Sequence, residues 1–168
     1  VIVPVFVGLL TGLCIGGFNG LIITKSKVAP FIVTLGTMTI GRGLALIISK
    51  GRPISNLSDE FNFIGGGNIA GIPFPIIVML LAFGICSIIL NKTTLGRYIY
   101  AVGGNELAAR ASGIQVNQIK MWVYSICGLL SALGGILLTS RITTGQPNAG
   151  TGFELDAIAA AIIGGTST

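Results

Sequence analysis

Residues 91–120 read NKTTLGRYIYAVGGNELAARASGIQVNQIK, the longest polar interruption between strongly apolar segments of the chain. Lys92, Arg97, Arg110 and Lys120 stand there against a single acid, Glu106. Asn105 carries a side chain suited to capping a helix N-terminus, and Glu106 follows in the first turn, where the helix dipole favours an acid. Gly113 supplies the stop. Between them Leu107, Ala108 and Ala111, with Ile114 beyond, leave one apolar side of mostly small residues. So short a helix is unstable alone and requires a surface to lie on. The stretch is either a solvated loop between membrane helices or a docking element for a cytoplasmic partner.

The segments around it decide the class. Of 168 residues 52% are hydrophobic and 9% charged, whereas a soluble domain spends about 25% on charge. This is the composition of a membrane protein, with the lipid bilayer as its surroundings. The chain has no His, and Cys14, Cys86 and Cys127 lie singly inside apolar segments, where they read as small packing residues. No metal, cofactor or nucleic-acid partner is expected. A membrane enzyme is disfavoured too, since no nucleophile with a placed base appears at membrane depth.

Apolar runs predict spans over about residues 1–24, 28–49, 72–90 and 121–140, with a fifth begun over 157–168. The fold class is therefore an all-α polytopic membrane protein with four complete spans and the start of another. In the first, Gly8, Gly12, Gly16 and Gly20 recur every four positions and draw a smooth stripe for a close neighbour. In the second, Thr34, Thr37 and Thr39 interleave with glycines, and Arg42 lies well inside. A charge there must face protein, water or, by snorkelling, the headgroups. Phe61 and Phe63 lead into FNFIGGGNIAG, which reads as a segment along the membrane surface. Ser131, Gly134 and Gly135 are expected to form a second close-approach face, and Trp122 and Tyr124 to mark the interface at the start of the fourth span. Asp156 reads as the cap of the fifth helix, with Glu154 just outside it; the two acids are a simple boundary or a functional edge.

Basic residues set the orientation. Lys25, Lys27, Lys92, Arg97, Arg110 and Lys120 gather on one side, expected to be cytoplasmic. Lys50, Arg52 and Arg141 fall on the other, with Asp59, Glu60, Glu154 and Asp156. The first two and last two apolar helices also echo one another with opposite orientations, carrying LGT at 35–37 and GGT at 164–166, the pattern of an inverted repeat. Val1 lies inside an apolar run without Met or basic flank, and Thr168 follows soon after another run begins. The chain is expected to be a piece of a longer membrane protein.

In three portions the sequence resembles the permease subunits of bacterial ABC importers for monosaccharides, of the ribose, xylose and galactose type. They are FNGLIITKSKVAPFIVTLGTMTIGRGLAL at 18–46, TTLGRYIYAVGGNELAARASGI at 93–114 and FELDAIAAAIIGGTS at 153–167. The resemblance implies a multi-pass protein of the bacterial inner membrane that is not itself an enzyme. It implies partners: cytoplasmic P-loop ATPase subunits, a periplasmic sugar-binding protein, and a second copy of the permease or a homologous one. Segment 91–120 becomes the ATPase-coupling segment, with Asn105, Glu106, Leu107, Ala108, Arg110, Ala111 and Gly113 at its centre. Asn19, Thr34, Thr37, Thr39 and Arg42 become candidates for lining a route for a neutral sugar. The alternative is a channel or ion-coupled secondary transporter for a small neutral solute, which would use Gly-rich helices without a docking element.

Overall fold

The computed structural model describes residues 1–26, 28–69 and 71–165. Lys27 and residues 166–168, including Thr166 of the second GGT, lie outside them. The elements are α1 (Ile2–Ser26), α2 (Pro30–Ser49), α3 (Asp59–Gly66), β1 (Asn68–Ile69), β2 (Ile72–Pro73), α4 (Phe74–Lys92), α5 (Thr94–Gly104), α6 (Glu106–Ala111), α7 (Val116–Arg141) and α8 (Phe153–Ile163). The two strands form one antiparallel turn ahead of α4, and the architecture is all-α. Helices α1, α2, α4 and α7 are long and apolar enough to cross a membrane.

The packing centre is the pair α1 and α7. The glycine stripe on α1 explains it. A Cβ on Gly16 would run into the Tyr124 carbonyl, one on Gly12 into the side chain of Ala132, and one on Gly20 would lie 3.0 Å from Met121 Cα. Gly128 answers from α7, where a Cβ would strike the Gly12 carbonyl. The two backbones therefore touch along a seam that only small residues permit. The expected second face of small residues is elsewhere: a Cβ on Gly134 or Gly135 meets nothing within 4 Å, and Ser125, Gly128 and Ala132 make the approach instead.

Helix α7 starts five residues before the expected Met121, placing Trp122 and Tyr124 beyond its first turn. Lys120 looked like a boundary because it is charged. It lies inside the helix because Glu106 neutralises it, while Val116 and Ile119 ahead of it are buried. Helix α8 likewise starts earlier, at Phe153 after Gly152, so Glu154 and Asp156 stand in its first turn rather than ahead of it. Asp156 does not cap it; Glu154 Oε2 accepts from Gly152 N at 3.0 Å.

The polar ends sort into two groups. At one end Ile54 and Gly145 exchange backbone hydrogen bonds of 2.9 Å, and α3 packs on the end of α7. At the other, Thr24 and Val28 to Pro30 share a cleft with Glu106, Arg110, Asn117 and Lys120.

Candidate functional site

Segment 91–120 is a compact two-helix element. Thr93 caps α5, its hydroxyl accepting from Gly96 N at 3.2 Å. Leu95, Ile99 and Val102 repeat at helical spacing and are half-buried, while Arg97, Tyr98 and Tyr100 are exposed. Helix α5 was not visible in the sequence: its glycines and charges concealed a three-residue apolar face, and the Thr93 cap was the available signal. The chain then turns at Asn105, whose Oδ1 accepts from Ala108 N at 3.0 Å to begin α6. Gly113, with φ at +82°, ends the following turn in the left-handed region that glycine adopts without strain.

Helix α6 has an inside and an outside. Ala109 is buried, with 4% of its surface exposed; it seats the helix and does not belong to an outward face. Leu107 is 79% exposed, and Ala108 and Ala111 are exposed with it. The base of α6 is fixed by charge. Lys120 Nζ donates to Glu106 Oε2 at 2.7 Å, and Arg110 donates to Glu106 Oε1 at 2.9 Å. The Arg110 guanidinium also donates to Asn117 Oδ1 at 3.1 Å, so both Glu106 and Arg110 tie α6 to the first turns of α7. Hydrogen bonds from Lys120 and then Arg110 hold the Glu106 carboxyl below its ordinary range.

A second feature is a cleft of about 600 Å³ between α1, α2 and α7. Asn19, Thr34 and Thr37 line it together with Thr11 and Ser131; Thr39 and Arg42 do not. Thr37 donates to Asn19 Oδ1 at 2.6 Å, leaving the Asn19 amide N–H groups unengaged among the described residues. Thr39 is exposed and bonds back to Leu35 O of its own helix. Arg42 is half-buried and makes no ion pair among the described residues. Glu154 and Asp156 line neither feature; they stand in the first turn of α8.

Over residues 1–168 the chain matches the family model described as the branched-chain amino acid transport system / permease component. It is 55% identical over 151 residues to the ribose import permease protein RbsC of Bacillus subtilis (strain 168), covering 89% of this chain and 47% of that protein. The ribose import permease protein RbsC of Haemophilus influenzae is 49% identical over an alignment of 170 residues, 99% of this chain and 52% of that protein. The L-arabinose transport system permease protein AraH of Escherichia coli (strain K12) is 44% identical over 149 residues, 89% and 45% of the two chains. The chain thus spans about half the length of the curated relatives it matches. No solved structure matches it.

Proposed function

As the chain belongs to the family of branched-chain amino acid transport system permease components, we propose that it is the membrane-spanning permease subunit of an ATP-driven ABC importer. It passes a ribose-like monosaccharide inward across the bacterial inner membrane while separate cytoplasmic P-loop ATPase subunits hydrolyse ATP. A periplasmic sugar-binding protein delivers the solute, and a second permease copy or a homologue completes the pair. The sugar follows from the names of the relatives, two of which are ribose import permeases.

One observation carries the coupling role: α6 presents Leu107, Ala108 and Ala111 outward while its base is clamped to α7 through Glu106 and Lys120. An exposed, small-residue face on a firmly held short helix suits seating in a partner's groove, where close approach matters more than charge. The side with Lys25, Lys92, Arg97, Arg110 and Lys120 is the cytoplasmic one by its excess of basic residues. The sugar moves along the α1–α2–α7 cleft, where Asn19, Thr34 and Thr37 offer an amide and hydroxyls to exchange with its own. Such contacts are weak and neutral, which lets the solute leave.

The test is a pair of variants in the full-length protein. Ala108→Trp and Ala111→Trp should insert normally, since both lie outside the hydrocarbon. Each should weaken ATPase binding by the cost of overpacking a close contact, about 1–3 kcal/mol, or roughly five- to 150-fold in affinity. Unchanged ATPase pull-down with both variants would return the stretch to an ordinary loop.

A further inference from the structure

Among the described residues Ser140 is the fully buried polar side chain, with 0% of its surface exposed. Hydroxyls in apolar helices usually bond back to their own helix, as those of Thr11, Thr24 and Ser125 do here. Ser140 does not. Its hydroxyl donates to Phe61 O at 2.5 Å and accepts from Gly65 N at 2.6 Å, so both its roles are spent on the backbone of α3. The contact is close: a Cβ on Gly65 would run into the Arg141 backbone N and lie 2.6 Å from Ser140 C. Towards α4 the helix has a tilted ring contact between Phe63 and Phe74, centroids 6.3 Å apart, and Phe74 N donates to the O of its capping Gly67 at 2.9 Å.

The same helix carries the α6 clamp at its other end. Lys120 and Ser140 are twenty residues apart in α7, roughly 30 Å at the rise of an α-helix and about the thickness of the hydrocarbon layer. No proline interrupts the helix between them, and the glycine seam with α1 braces it. The other complete spans, α2 and α4, bury no residue. One stiff rod is thus fixed at one end to α6 and at the other to α3.

We propose that Ser140 is a positioning residue: it fastens α3 to the outer end of α7, so that α3, α7 and α6 shift as one strut and the arrival of a partner on the outer face is felt at α6. This rests on the importer function and sidedness proposed above. The pair of hydrogen bonds from one buried hydroxyl is the smallest lever on that strut, because removing it takes both links to α3 away at once, while Phe61 O and Gly65 N, four residues apart in α3, can still pair with each other.

The experiment uses the full-length protein in proteoliposomes with its ATPase and a ribose-loaded binding protein. Ser140→Ala breaks the fixture from α7, and Gly65→Ala breaks it from α3. Both should insert, retain the ATPase in pull-down and keep the basal rate of hydrolysis, yet lose the stimulation by the loaded binding protein. A purely structural role would lower assembly and basal hydrolysis together. Stimulation of both variants to the wild-type level, or loss of ATPase pull-down in both, overturns the strut. An unstimulated wild-type protein would instead sink the importer function, and the strut with it.

Discussion

At the scale of single residues, Glu106 matters most. Its two ion pairs are part-exposed, and each such pair is worth only about 0.2–1 kcal/mol. Glu106→Gln should therefore cost little global stability and still loosen α6, seen as faster amide exchange over residues 106–111 with α7 unchanged. Equal exchange in variant and wild type would remove the clamp. The pH dependence has a definite sign. A carboxyl whose pKa is lowered on folding adds stability above its unfolded value, about 4.3, and loses it as pH falls through the lower folded value. Protection of α6 should accordingly persist through the neutral range and fail only in acid below that value. Arg42 tests differently. It lies seven residues before Ser49 at the end of α2, roughly 10 Å along the axis and within snorkelling reach. Arg42→Leu should impair transport or assembly if it faces protein or water, and normal expression with normal uptake would reduce it to a lipid-facing anchor. Residue chemistry was legible where the partner is local: Asn105 and Ala108 are three positions apart, and the cap was written in the side chain. Lys120 was not readable as the partner of Glu106, because the two are fourteen positions apart with the turn at Gly113 between them.

At the scale of elements, the glycine stripe of α1 was readable because a period of four maps onto one helical face, and α7 fills it. Its answering surface on α7 was not identified in the sequence, where Ser131, Gly134 and Gly135 stood only as a further close-approach face. Adjacent glycines at 134 and 135 attract attention, whereas a lone Gly128 between larger residues makes the contact. Gly16→Leu and Gly128→Leu each force a side chain into backbone and should destabilise by at least about 1–3 kcal/mol, read as a lower midpoint of thermal aggregation in detergent. Gly134→Leu, with open space around it, should change the midpoint little. Equal effects at 128 and 134 would contradict the seam. Helix α5 escaped notice for a physical reason: periodicity needs several turns to stand out, and three half-buried residues among glycines do not provide them. The cleft shows the same limit. Asn19 and Thr37 were candidates by polarity alone, and only the crossing of α1 and α2 brings them together at 2.6 Å while leaving Thr39 and Arg42 outside.

At the scale of the whole molecule, class and family were legible from composition and three stretches, and the relatives are monosaccharide permeases as the resemblance implied. The proposed sidedness rests on basic residues and is open to direct labelling. With Cys14, Cys86 and Cys127 replaced, single cysteines at Asp59 and Asn148 should react with an impermeant thiol reagent on intact cells, and those at Ser26 and Asn105 should not. Reaction at Asn105 without reaction at Asp59 would invert the orientation. Energy coupling is the claim on which the rest depends, and uptake of labelled ribose into proteoliposomes measures it most directly. The full-length permease, its ATPase and its binding protein should accumulate ribose only with hydrolysable ATP, and Ala108→Trp should lower accumulation in step with its weakened ATPase binding. Equal ribose uptake without ATP, or driven by an ion gradient alone, would contradict the account and identify a channel or secondary transporter instead.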